Sequence, residues 1–352
     1  MNVDAFETLL EKCDSQCSID DKTGYVVFRP LSYKAKQTVD KILKDNQWNQ
    51  LSKEAFIELY KKHYPFLKAR REIKEKKIKE FFTMSPKEVA NLPVEAKLDY
   101  MEMLFPLNQT IGETEAACKG NEKNIKTCLF NMDFPSSFWD KEKKSAERYV
   151  NLISKQPELI EKIKHWEKTT QEEKKAVIYQ AAEIFEYVYG VKLNIAFFTQ
   201  EEERAKNREN GLPEDTHIYG AYKHGDTIYF NEERLQSGDN FWGISVLFHE
   251  STHWRQEVET FEDPIVERLM NCNPNFVTTY EKKLGNKTEY EDFYTIDPSE
   301  RHAYGLQEYV EGLLTEKTGV EQTQDVTLDE ETKRMHNKAF SMARLTQYRA
   351  AK

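Results

Sequence analysis

The stretch 241–253 constrains this chain more than any other part of it. Phe241, Trp242, Ile244, Val246, Leu247 and Phe248 form a run that is apolar nearly all round, and His249-Glu250-Ser251-Thr252-His253 follows without a break. A helix apolar on every side has to be buried, here beneath a sheet. Residues i and i+4 of a helix lie one above the other on one face. His249 and His253 therefore aim two imidazoles at one place, with Glu250 beside them. Two histidines and a glutamate are costly to bury without partners. A divalent ion satisfies all three; the alternative is a partly exposed helix end with hydrogen-bonded histidines.

The surroundings suit a buried helix. Residues 171–189 read as a helix with Val177, Ile178, Ala181, Ile184, Phe185 and Val188 on its apolar face, and Gly190 as its stop. Residues 191–198 alternate and are β-prone, which predicts a strand. The polar stretch 200–215 is expected to be a loop. His217–Tyr222 and Thr227–Asn231 predict two more strands, with His224-Gly225-Asp226 as the turn between them. Gln236-Ser237-Gly238-Asp239-Asn240 is a helix-start signal. Farther on, Asp297-Pro298-Ser299-Glu300 reads as another start, with Asp at the N-cap, Pro at N1 and Glu at N3 closing a capping box. The fold class is α+β, with a mainly helical N-terminal domain over 1–145 and a second domain over 146–352 that ends in a helical tail.

In the first domain, Tyr25-Val26-Val27-Phe28 predicts a short strand, and apolar spacing predicts helices between about 38 and 82. Lysines and arginines crowd 61–79. They read as a solvated helix face, helped by Glu72 with Lys76 and Glu75 with Lys79 at i,i+4, rather than as a docking face for an acidic partner.

Charge and composition exclude several classes. A net charge of −10 argues against a general nucleic-acid binder, which wants a basic footprint. No run approaches the ~18 apolar residues of a membrane span. The N-terminus carries acidic residues where a cleaved signal wants basic ones, so the location expected is cytoplasmic, or exported without a cleaved signal, including into a host cell. On that ground the sequons at Asn108 and Asn286 carry little weight. Cysteines at 13, 17, 118, 128 and 272 are too scattered for a disulfide framework, and Cys13 with Cys17 lacks a second ligand pair.

The segment His249-Glu250-Ser251-Thr252-His253-Trp254-Arg255-Gln256 has the form H-E-x-x-H-x-x-Q, and Pro298-Ser299-Glu300-Arg301-His302-Ala303 has the form P-x-E-x-x-A. In these two motifs the chain resembles the zincin superfamily of zinc metallopeptidases, over roughly 170–315. Glu259 stands where the metzincin branch places His or Asp, so the resemblance is to the gluzincin branch. It implies one Zn²⁺ per chain, held by His249, His253 and Glu300, with Glu259 and His302 as rival third ligands. It implies Glu250 as general base and a Tyr or His as oxyanion donor. Candidates for that donor are His302 and Tyr304, then Tyr294, His217 and His224. The substrate implied is a protein or peptide lying along the strand 218–222. Glu259, Asp263 and Glu267 are the carboxylates near enough in sequence to orient a ligand histidine. Chains of this kind are often secreted bacterial toxins or effectors, whose N-terminal half recognises the substrate or shapes the cleft.

Overall fold

The computed structural model describes residues 3–14, 18–106, 116, 119–209, 221–224, 226–271, 293–323 and 330–351. It is mainly helical with two small sheets, compatible with the α+β class. The chain divides into two compact units. Unit 1 is Met1–Met132 with Glu257–Asp297, and unit 2 is Asp133–Gln256 with Pro298–Lys352. A single break at 145 does not describe this division. The helix Ser136–Ile153 belongs wholly to unit 2, and the chain returns to unit 1 after Gln256.

In unit 1, Phe6 and Leu9 of the helix Val3–Lys12 pack with Val39, Trp48 and Leu59 around the buried Cys13. The helices Tyr33–Asp45 and Lys53–Thr83 start on Ser32 and Ser52, whose hydroxyls accept the amides of Ala35 and Ala55. Strands β1 (Ser18–Ile19) and β2 (Val26–Val27) pair antiparallel. Part of the basic run on Lys53–Thr83 is internal stitching: Arg70 reaches Asp4 and Glu7, and Lys74 reaches Glu11. Along the helix Lys61 pairs with Glu58, Arg71 with Glu75 and Lys76 with Glu80. Cys17, Cys118, Cys272, Asn108 and Asn286 lie outside the described residues.

Unit 2 carries the apolar run. The helix Gln171–Tyr189 opens with a capping box between Thr170 and Glu173 and closes on Gly190 at φ 73, a left-handed cap that glycine adopts without strain. Strand β3 (Asn194–Phe198) follows and pairs in parallel with β5 (Thr227–Asn231). Strand β4 (Ala221–His224) pairs antiparallel with β5, so β5 is central. The stretch 200–209 is a helix, Gln200–Glu209, rather than a loop. Its cause lies in Thr199 and Glu202, each of whose side chains takes the other's main-chain amide.

The helix Trp242–Val258, here the motif helix, meets this sheet at its first residue, with Phe230 of β5 edge-on to Trp242. On another side Phe248 packs against Tyr149 and Phe185, which brings in Ser136–Ile153 and Gln171–Tyr189. Its last partner is the helix Pro298–Thr318, whose Tyr304 lies edge-on to His249. That helix approaches Ser136–Ile153 closely. A Cβ built on Gly305 would stand 2.9 Å from the Trp139 ring. No helix among the described residues is long and apolar enough to cross a membrane. Gly305→Val should overpack this contact against a rigid indole and cost about 1–3 kcal/mol of stability, measured by denaturant unfolding.

Candidate metal centre

His249, His253 and Glu250 come from the middle of the motif helix, whose apolar first half fixes its rotation about its axis. His249 is buried, and His253 and Glu250 are half-buried. Glu300 comes from the first turn of Pro298–Thr318. The next residue, Arg301, anchors that turn: it is buried, 3.0 Å from Asp133 Oδ1 and 2.6 Å from Thr346 Oγ1.

These elements bring three ligand atoms to one point. The Nε2 atoms of His249 and His253 are 3.1 Å apart. Glu300 Oε2 lies 3.6 Å from the first and 3.4 Å from the second. Among the described residues His249, His253 and Glu300 form the group able to hold a metal ion. Tetrahedral donors each ~2.1 Å from one zinc lie ~3.4 Å from each other, so the triangle has the size that zinc requires. One nitrogen from each histidine and one carboxylate oxygen is also a donor set that zinc accepts.

The electrostatics fit a cation. Burial alone would raise the Glu300 carboxyl and lower the His253 imidazole. Their mutual attraction outweighs it, holding Glu300 well below the usual carboxylate range. His253 rises to about 9, with Glu300 and then Glu250 as the favourable charges. A proton on His253 and a metal at the same point are therefore alternatives, and metal uptake would displace the proton.

The remaining expectations divide. Tyr304 stands beside the site, its ring 4.6 Å from that of His249. His302 does not face the ligands. It is buried among the rings of Phe134, Phe138 and Trp139, with its Nδ1 3.0 Å from Gln256 Nε2 and its Nε2 3.3 Å from Glu142. Both ring nitrogens are engaged, so it is neither third ligand nor a ready oxyanion donor. Glu259 and Tyr294 belong to unit 1. Asp263 caps the helix Pro264–Met270, and Glu267 bonds Lys34 and the amide of Phe261. Asp263 and Glu267 are thus engaged away from the candidate ligand histidines. His217 and residues 218–220 lie outside the described residues, as does the side chain of His224. Of the expected substrate strand, 221 and 222 are seen, in β4 at one edge of the sheet.

The partner of His253 is Gln256, whose Oε1 lies 2.9 Å from His253 Nδ1. Behind it, Glu142 is held by Arg255 through two bonds of 2.8 and 3.1 Å. Burial would raise Glu142, but the Arg255 charge and the His302 bond hold it well below the ordinary range. Neither Glu142 nor Arg255 was expected at the site. A signal existed: Glu142 interrupts the apolar face Phe138, Trp139, Ala146, Tyr149, Val150 and Ile153 of its helix. A charge on a buried stripe demands a fixed partner.

One further carboxyl lies between the two ligand-bearing helices. Burial pushes Glu311 up to about 7, against hydrogen bonds from Gln307 and Ser245. No protein-family model, curated protein or solved structure matches this chain.

Two outcomes are expected. Arg255→Met strands Glu142 in the interior and should cost about 3–5 kcal/mol, read by chemical denaturation. For Glu311 the folded chain keeps a proton that the unfolded chain has released by pH ~5, so stability falls as pH rises toward 7. Melting curves should therefore show Glu311→Gln gaining on the wild type between pH 5 and 7, with the difference levelling above that.

Proposed function

We propose that this chain is a zinc-dependent endopeptidase of gluzincin-like design, with His249, His253 and Glu300 holding one Zn²⁺. The observation that carries the reading is the spacing of the three ligand atoms, 3.1, 3.4 and 3.6 Å. It unites a motif and a residue far along the chain that were proposed as ligands for separate reasons. When bound, zinc with three protein ligands supplies an open position, a water whose pKa falls to ~7, and polarisation of a carbonyl.

The chain's own residues then have defined tasks. Glu250 follows His249 directly and lies close enough to raise the pKa of His253. It takes a proton from the attacking water and returns it to the leaving amine. Tyr304 steadies the His249 ring by edge-to-face packing and is the residue proposed here as oxyanion donor. An extended peptide is proposed to lie along the edge strand that includes β4, where main-chain bonds recognise any sequence.

A catalytically silent zinc-binding module is the second reading, and an intact Glu250 in the motif speaks against it. Zinc content and proteolysis separate the two. The wild type should carry one zinc and His249→Ala almost none. The wild type should cleave unfolded proteins, and Glu250→Gln should bind zinc yet cleave 10²–10⁴-fold more slowly, the usual contribution of a general base (~10²–10⁴). Stoichiometric zinc with no cleavage of any substrate favours the module, and a wild type without metal removes both readings.

A further inference from the structure

We propose that Gln256 is a positioning residue that dictates which nitrogen of His253 faces the metal and ties that nitrogen to Glu300. The proposal rests on the reading of His249, His253 and Glu300 as ligands. It goes beyond that reading by assigning the tautomer of His253 and the residues that impose it.

Gln256 makes three contacts. Its Oε1 is 2.9 Å from His253 Nδ1, and its Nε2 is 3.0 Å from the Ser299 carbonyl and 3.0 Å from His302 Nδ1. A side-chain amide can be turned over, so its orientation must be argued from partners with only one possible role. A main-chain carbonyl accepts and never donates. The Gln256 atom facing Ser299 is therefore the NH2 group, and the atom facing His253 is the oxygen. That oxygen can only accept, so His253 carries a proton on Nδ1. Its Nε2 is then the atom for a metal, and Nε2 is the atom that faces His249 and Glu300.

The far end of the chain of bonds demands the same polarity. Glu142, ionised and pinned by both Arg255 nitrogens, can only accept. His302 Nε2 must donate to it, which leaves the lone pair of His302 on Nδ1. That lone pair takes the second proton of the Gln256 NH2. Two acceptors, the Ser299 carbonyl and the Glu142 carboxylate, thus impose one consistent arrangement from opposite ends. No member can reverse without placing two acceptors or two donors face to face.

The same amide has a geometric effect. One end holds the imidazole of His253 on the motif helix, and the other holds the backbone of Ser299, the neighbour of Glu300. The second and third ligands are therefore joined through one rigid planar group. A hydrogen bond to the second nitrogen of a metal-bound histidine is worth ~10–100-fold in metal affinity, more often supplied by a carboxylate, carbonyl or water. A neutral amide gives the orientation without adding negative charge, which leaves Glu300 as the one anionic ligand.

The test compares zinc affinity, by competition against a chromogenic chelator, for the full-length wild type, Gln256→Met and Gln256→Glu. In zinc-loaded protein labelled with ¹⁵N-histidine, solvent exchange of the His253 Nδ1 proton is followed as well. Gln256→Met keeps the length but neither donates nor accepts. It should bind zinc ~10–100-fold more weakly, with faster Nδ1 proton exchange. Gln256→Glu, held as the neutral acid by the two acceptors behind it, still presents an oxygen to His253 and donates one proton toward the Ser299 carbonyl or His302 Nδ1; it should stay within about fivefold of the wild type, with slow exchange. A Gln256→Met affinity within about twofold of the wild type overturns the proposal, as does an equal loss in Gln256→Glu. If Gln256→Met does not fold, a loss in Gln256→Glu beyond about tenfold overturns it and a smaller one supports it. A wild type that takes up no zinc removes the ligand reading and this proposal together. One that binds zinc but is indifferent to Gln256 removes this proposal alone.

Discussion

Unit 2 is organised around one buried ion pair, Arg255 with Glu142. An ionised carboxylate in a protein interior costs several kcal/mol unless a fixed cation and hydrogen bonds replace its water. Arg255 meets that demand with two parallel bonds, while its guanidinium plane lies 4.0 Å over the ring of Tyr189. The pair joins the motif helix to Ser136–Ile153, and the stacking adds Gln171–Tyr189. Arg255 takes both Glu142 oxygens, and Oε2 accepts His302 on its second lone pair. From that oxygen the bonds run through His302 and Gln256 to His253 without a gap. The packing of the helices and the orientation of a ligand histidine thus share one foundation.

What could be read from residue order follows from range. Local rules located the helix ending at Gly190, the strands Asn194–Phe198 and Thr227–Asn231 and the motif helix, because caps, alternation and glycine act within a few residues. His224, read as part of a turn, instead ends β4. The helix Gln200–Glu209 obeys the same kind of rule, since Thr199 and Glu202 form a capping box. Its polarity on all sides hid it, because periodicity gave no signal. The clustering of His249, His253 and Glu300 was legible for two reasons: His249 and His253 are one turn apart, and Glu300 opens a helix in a recognisable segment. Glu142 was not, since its partner Arg255 is 113 residues away. Only its placement on an apolar stripe marked it.

The assignment of His302 shows how nearness in sequence misleads. Residues two apart on a helix point to different sides, whereas residues four apart share a face. Glu300 and Tyr304 accordingly lie toward the histidines, and His302 turns into the aromatic rings behind them. The H-E-x-x-H segment thus came with a polar layer that the motif itself does not announce. Gln256 is the one motif residue that reaches it.

Unit 1 contains Glu257–Asp297, so the chain leaves unit 2 directly after Gln256 and re-enters it at Pro298. The bond from Gln256 to the Ser299 carbonyl closes the base of that excursion. Bringing the two ends of such a loop together has an entropic cost that grows only slowly with its length. In topological terms, unit 2 is a host and the excursion an insert, and the clasp at its neck is built from the residue that orients His253 and the residue beside Glu300. The two jaws stand within one hydrogen bond of each other although 43 positions of chain separate them.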